Sequence, residues 1–315
     1  MHLSEVYQLV QPSIIAFTPK YVRKELPQDF PPIFGTGFVV ADGLIATNDH
    51  VVQAFAKVHK PKGIPSDDWG VIAWLFHFLP NEGMAQIPLS VLGVLRITLE
   101  VKGHYYGPER PDLAFVHVKA TGLPVLRVAE SPRFEPGFQV ATAGFTMGTD
   151  ALRAPGWIHQ LTPTLQTGII SAVLPFPCET PHAVMLNIMT QGGASGSPVF
   201  SVDEPKVVGV LYAGLIDHHT LPGTAVRYPV PTNFSYFVPA HYLRKTLEGI
   251  DKRPELKPEP DTPSLEHIIA TYKREVHAPQ NRTRQPPREV MEIVAEPKIN
   301  VVAADVVRLE PSKKS

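Results

Sequence analysis

An all-β fold is the class this sequence predicts, and three observations predict it. Between about residue 6 and residue 240 the chain carries eleven short runs rich in Val, Ile, Leu, Phe and Tyr. Gly, Pro, Asn and Asp punctuate them, and no long amphipathic helix interrupts the series. Many short strands at such spacing suit barrels or a sandwich. In chain order the runs are VYQLVQPSIIAF, GTGFVVADGLIAT, VIAWLFHF, VLGVLRITLEVKG, DLAFVHVK, FQVATAGF, TGIISAV, HAVMLNIM, PVFSV, KVVGVLYAG and NFSYFVPA. ADG at 41 to 43, between FVV and LIAT, reads as a hairpin turn.

Three segments fall outside that pattern. TGLPVLRVAESPRFEPG, at about 121 to 137, is a proline-bearing connector able to join two β subdomains. HYLRKTLEGI, 241 to 250, has Leu243, Leu247 and Ile250 at helical spacing with Gly249 near its end, which predicts a short closing helix. Residues 251–315 hold nine prolines and many charges, the composition of a linker or tail. Within that tail SLEHIIATYKREV and VMEIVAEPKINVVAADVVRL are apolar enough to dock on the body or on a protein partner.

Composition removes several function classes. With 315 residues and 43% hydrophobic content the chain can bury a substantial core. Lys+Arg 29 against Asp+Glu 30 leaves no global field to recruit nucleic acid or anionic lipid. Cys178 is the single cysteine, so no intramolecular disulfide and no cysteine zinc site is expected, and a reducing, cytoplasmic compartment fits. The N-terminal residues lack the basic-then-apolar pattern of a secretory signal. The strongest apolar stretch, GVIAWLFHFL at 70 to 79, is far short of the roughly 20 residues a membrane span needs.

Chemistry concentrates in three places. TNDHVV (47–52) delivers His50, RPDLAFV (110–116) delivers Asp112, and GGASGSP (192–198) delivers Ser195. A serine nucleophile needs a base for its hydroxyl proton and an acid group that holds the base in the right tautomer. The glycines matter as much: an oxyanion requires converging backbone N–H groups, which a tight loop without side chains supplies. Gly193 and Ser195 are placed to donate them. Asp49 competes with Asp112, but side chains of neighbouring residues on an extended segment point opposite ways, so Asp49 should face away from His50. A G-x-S-x-G elbow nearly fits Gly193 to Ser197, yet its last position is Ser and the order of partners differs. Asp217, His218 and His219 are read as a solvated loop, since adjacent histidines poorly chelate one ion. Trp69, Trp74, Phe76 and Phe78 are assigned to packing.

GTGFVV, TNDHVV, DLAFVHV, TGIISAV and GASGSPVF followed by VVGVLYAG together resemble the successive blocks of the trypsin-like serine peptidases, in the disulfide-free bacterial HtrA/Deg-type branch. The serine block is also similar to that of glutamyl endopeptidases. The resemblance spans about residues 6 to 245 and implies two packed six-stranded antiparallel β-barrels. The first, 6–122, would carry His50 and Asp112. The second, 123–250, would carry Ser195, the oxyanion donors Gly193 and Ser195, and the closing helix; the proline-rich 251–315 tail would hold no PDZ domain. It implies a serine endopeptidase acting on a protein or peptide substrate, with no cofactor and no metal.

The chain departs from the family at Ala194, where zymogen-activated members keep aspartate, and at Ser197, where many have glycine. The 61 residues between His50 and Asp112 suggest an enlarged hairpin or loop within 55–95. The resemblance assigns the specificity pocket to Met189, Thr190, Leu211, Tyr212 and Ala213; these are uncharged, so small or medium aliphatic side chains are expected before the scissile bond. A glutamate preference is the weaker alternative, through His218, His219 or Arg227. Two non-enzymatic readings stand beside the peptidase: a catalytically silent peptide-binding relative, and an interaction protein acting through its tail.

Overall fold

The computed structural model describes residues 1–21, 32–79, 83–97, 110–130, 132, 134–146, 162–178, 180–251 and 257–276. The chain opens with a helix, α1 (Leu3–Val10), where the first apolar run predicts only strand. Leu3, Val6, Tyr7 and Val10 repeat at helical spacing, and His2 and Glu5 close a reciprocal capping box. A 3-10 turn at Gln11–Ser13 ends the helix before β1 (Ile14–Pro19). The run VYQLVQPSIIAF is therefore a helix and a strand in succession.

The first barrel is built from β1, β2 (Gly35–Ala41), β3 (Leu44–Thr47), β4 (Val71–Leu79), β5 (Gly83–Arg96) and β6 (Ala114–Val118). Their order around the closed barrel is β1-β2-β3-β6-β5-β4, all antiparallel, with Ile15 opposite Leu75 where β4 returns to β1. β2 and β3 join through the expected turn, with Gly43 at φ 68°. The 55–95 segment, expected to hold an enlarged hairpin or loop, supplies the two strands β4 and β5 of the barrel wall. Between β3 and β4 lies a second helix, α2 (Asp49–Phe55), where the sequence reading assumed extended chain.

The second barrel comprises β8 (Gln139–Gly144), β9 (Thr164–Leu174), β10 (Ala183–Leu186), β11 (Pro198–Ser201), β12 (Lys206–Thr220) and β13 (Arg227–Pro239). The order β11-β8-β9-β10-β13-β12 closes where Pro198 of β11 faces Val210 of β12. The connector is stitched to both barrels. Leu126 donates its N–H to Val39 O at 2.9 Å, and β7 (Arg127–Val128) runs parallel to the start of β12. α3 (Ala240–Asp251) is the expected closing helix.

Three apolar clusters explain why the strands read as almost continuous hydrophobic runs. Ile15, Phe17, Val39, Ile45, Leu75 and Val116 fill the first barrel. Val140, Ile170, Val184, Val199 and Phe237 fill the second. The opposite faces of these strands meet in a third cluster, with Ile14, Phe38, Phe76 and Phe115 against Phe145, Phe200, Val210 and Val238. A strand buried on both faces loses the apolar-polar alternation.

Part of the tail returns to the first barrel. Thr121 donates to Pro263 O at 3.0 Å, Leu265 N–H donates to Thr121 O at 2.7 Å, and α4 (Leu265–Val276) seats Leu265, Ile268 and Ile269 against that core. SLEHIIATYKREV thus docks on the chain's own body; VMEIVAEPKINVVAADVVRL lies outside the described residues. No helix among the described residues is long and apolar enough to cross a membrane.

Candidate active site

His50 stands in the first turn of α2, at the end of a strand that delivers it to the inter-barrel side. Asn48 has extended backbone (φ −87°, ψ 153°) and turns the chain from β3 into the helix. The first-turn N–H groups of a helix have no partner within it. Asp112 meets that need: its Oδ1 accepts the His50 backbone N–H at 3.0 Å while its Oδ2 lies 2.6 Å from His50 Nδ1. Asn48 Nδ2 donates to the Asp112 carbonyl at 2.8 Å, so Asp112 is tied to residues 48–50 at three points.

Asp49 does face away from His50, for a reason other than strand alternation. Successive residues on a helix diverge by about 100°, and Asp49 is held by Arg96 Nε and Nη2 and by Gln53 Nε2 at 2.7 Å. Burial alone would raise the Asp49 carboxyl; the hydrogen bonds from Arg96 and Gln53 outweigh it and hold the group below the usual carboxylate range.

The serine loop is pinned peptide by peptide. The 193–194 peptide has its carbonyl on Thr36 Oγ1 at 2.6 Å and its N–H on Gln191 O at 3.1 Å. The 195–196 peptide has its carbonyl on Thr36 N–H and its N–H on Leu211 O, both at 2.9 Å. Between them, the Ala194 carbonyl accepts from Ser197 N–H at 3.1 Å and Ser197 Oγ at 2.6 Å. Three consecutive peptide planes are therefore fixed, and Gly193 reaches this geometry at φ 91°, where glycine alone is unstrained. Among the described residues the N–H groups of Gly193 and Ser195 donate to nothing within the chain.

Gly196 binds the loop to the histidine segment. A Cβ there would collide with Thr36 O and Thr47 Oγ1, the latter three residues before His50. Ser195 is half-buried, and no hydrogen bond joins its Oγ to His50 among the described residues.

The pocket residues divide. Met189 is exposed, Thr190, Tyr212 and Ala213 are half-buried, and the Leu211 side chain is inside the second barrel's core. Leu211 meets the loop through its backbone, its N–H donating to Ser197 O and its carbonyl accepting from Gly196 N–H. Thr190 and Gly214 touch, since a Cβ on Gly214 would fall 2.7 Å from Thr190 Oγ1. Burial, then Tyr236 and Asp112, push the Tyr212 phenol up to about 12, which puts Tyr212 of the second barrel within electrostatic reach of Asp112 of the first. His218, His219 and Arg227 lie away from these residues on an exposed part of the β12–β13 ribbon. Asp217, His218 and His219 are on strand β12 rather than a loop, and no group of metal ligands occurs among the described residues.

Thr36, Asn48 and Arg96 escaped the sequence reading. Thr36 alone had a visible signal, its place between the glycines of GTG.

A family model described as a trypsin-like peptidase domain matches residues 35–210. The chain is 25% identical over 180 residues to a protein of Marinomonas sp. named "Probable periplasmic serine endoprotease DegP-like", covering 56% of this chain and 29% of that protein. A protein of the same name from Halomonas elongata is 28% identical over 181 residues, covering 56% of this chain and 28% of it. The chain thus spans less than a third of the length of these curated relatives. Among solved structures it is similar to an inactive serine-to-alanine form of Rv3671c from M. tuberculosis, at 18% identity and TM-score 0.45, covering 79% of this chain and 91% of that one.

Proposed function

Because the chain belongs to the trypsin-like peptidase family, as the match over residues 35–210 shows, we propose that it is a serine endopeptidase using His50, Asp112 and Ser195. The observation that carries the reading is the His50 Nδ1 to Asp112 Oδ2 contact of 2.6 Å beside a serine loop whose two spare N–H groups are Gly193 and Ser195. A proton on Nδ1 directed at Asp112 leaves Nε2 as the base. His50 Nε2 takes the Ser195 Oγ proton as Oγ bonds to the substrate carbonyl carbon; the carbonyl electron pair moves to oxygen and meets the two N–H groups. Collapse expels the amine, which carries off the proton from His50, and the acyl-enzyme remains. Water, deprotonated by His50, attacks the acyl carbon, and Ser195 leaves with its proton restored. Each oxyanion donor contributes about 2.7–4 kcal/mol to the transition state.

The pocket bounded by Met189, Thr190, Tyr212 and Ala213 is uncharged, which supports small or medium aliphatic residues before the scissile bond. Digestion of a peptide library checks this, and cleavage confined to Arg or Lys sites would sink it. The missing Ser195 to His50 hydrogen bond favours one rival, a silent peptide-binding relative, although such bonds often tighten only with substrate bound. Fluorophosphonate labelling separates the two: the native chain should label and Ser195→Ala and His50→Ala should not, whereas equal labelling of all three refutes the triad. The single cysteine supports a cytoplasmic location, against the "periplasmic" of the relatives' names, and cell fractionation checks it.

A further inference from the structure

The geometry points to Thr36 as a positioning residue for the oxyanion donors, an inference that rests on the peptidase reading above. Thr36 belongs to the first barrel and is fully buried, yet its polar groups are directed almost entirely at the second. Its hydroxyl donates to Gly193 O at 2.6 Å and accepts the Phe145 N–H at 3.1 Å, which uses its one proton and one of its two lone pairs. Its N–H donates to Ser195 O at 2.9 Å. Its carbonyl accepts Thr47 Oγ1 at 2.7 Å, on the segment that leads to His50.

The consequence is geometric. A peptide unit is planar, so fixing its carbonyl fixes the direction of the N–H across the same bond. Thr36 holds the carbonyls of Gly193 and Ser195, the planes on either side of the 194–195 peptide that carries the Ser195 N–H. With the Ala194 carbonyl held by Ser197, that N–H has one direction left, toward the open side of the loop. The Gly193 N–H belongs to the 192–193 peptide, and the φ and ψ torsions of Gly193, with φ at 91°, are all that separate it from the plane that Thr36 holds. The first barrel thus shapes the anion-binding loop of the second. The GTG motif divides the labour: Gly35 admits Val51 of α2 at close range, a Cβ there falling 2.5 Å from Val51 Cγ1, and Thr36 grips the serine loop.

The test compares Thr36→Val, which keeps shape and the backbone N–H but loses the hydroxyl, with Thr36→Ser, which restores it. Thr142→Val is the stability control. It removes another buried hydroxyl bond, to Pro198 O at 2.9 Å, without touching residues 193–195. Removing an oxyanion donor outright costs about 10²–10³ in kcat; misaligning one should lower the fluorophosphonate acylation rate and kcat about 10- to 100-fold in Thr36→Val, with KM unchanged and Thr36→Ser near the native chain. Acylation by Thr36→Val within twofold of native, or no lower than that of Thr142→Val, overturns the proposal. Should Thr36→Val not fold, Thr36→Cys, with its weaker donor, should give an intermediate loss, and a native rate there also overturns it. If the native chain does not label at all, the peptidase reading fails, and amide exchange over 190–197 decides for Thr36. Faster exchange in Thr36→Val but not in Thr142→Val upholds the clamp, and equal exchange rejects it.

Discussion

At the scale of single residues, the site depends on groups that tolerate little change. Asp112 accepts from both the backbone and the ring of His50. Asp112→Asn keeps the size but offers His50 the wrong tautomer, so kcat should fall about 10⁴-fold while the melting temperature stays near native. Steady-state kinetics beside a thermal melt check both halves. Gly196→Ala is a different kind of change. At φ 88° its Cβ would meet Thr36 O and Thr47 Oγ1, so strained backbone and overpacking act together and stability should drop by at least about 2 kcal/mol in denaturant unfolding. His50, Asp112 and Ser195 are legible in the sequence because each sits in a recognisable local block. The role of Thr36 is not: GTG marks the position, but its partner Gly193 is 157 residues away and nothing local shows what the threonine will face.

At the scale of elements, α2 and the β12–β13 ribbon show what short-range patterns miss. TNDHVV reads as extended because it follows a strand and contains three β-branched residues; from Asp49 on it becomes a helix because Asp49 has Arg96 and Gln53, and Val51 and Val52 have the first barrel's core. The seat of α2 depends on the gap at Gly35. Gly35→Ala should displace α2 and lower kcat/KM about 10-fold or more, given that misplacement by about 1 Å can cost 10²-fold. Adding Val51→Ala should recover much of the loss, and a double-mutant cycle that is merely additive would reject the packing account. The ribbon is a contrasting case. Beyond Gly214 the pairing continues to Thr220 opposite Arg227, yet Ile216 is 57% and Val226 58% exposed. Replacing 216–231 with a two-residue turn removes no core side chain, so the melting temperature should move by only a few degrees.

At the scale of the whole molecule, stability should decline on mild acidification. Burial lowers His77, His117 and His182, and burial followed by Arg244, His182 and Lys245 takes His241 down to about 4. A histidine with a lowered folded pKa favours the neutral form, so the unfolded chain binds more protons between the ordinary value of about 6.5 and the folded one. Stability contributed by these groups is present above about pH 6.5 and is lost as pH falls toward 4. Denaturant midpoints measured from pH 7.5 to 4.5 should decrease, and His241→Phe should flatten the curve; a flat native curve would contradict the assignment.

The strand runs, the turn at Asp42–Gly43, the closing helix and the order of His50, Asp112 and Ser195 are all written in spacing and composition, because each depends on neighbours a few residues apart. The helix α1 is local too, in the spacing of Leu3, Val6, Tyr7 and Val10 and in its His2–Glu5 cap. The helical character of α2, the return of residues 257–276 to the first barrel, the core position of Leu211 and the clamp made by Thr36 wait on the fold. Each depends on a partner distant in the chain, and burial of an apolar face or a hydrogen bond across two barrels outweighs the local preference from which a sequence is read.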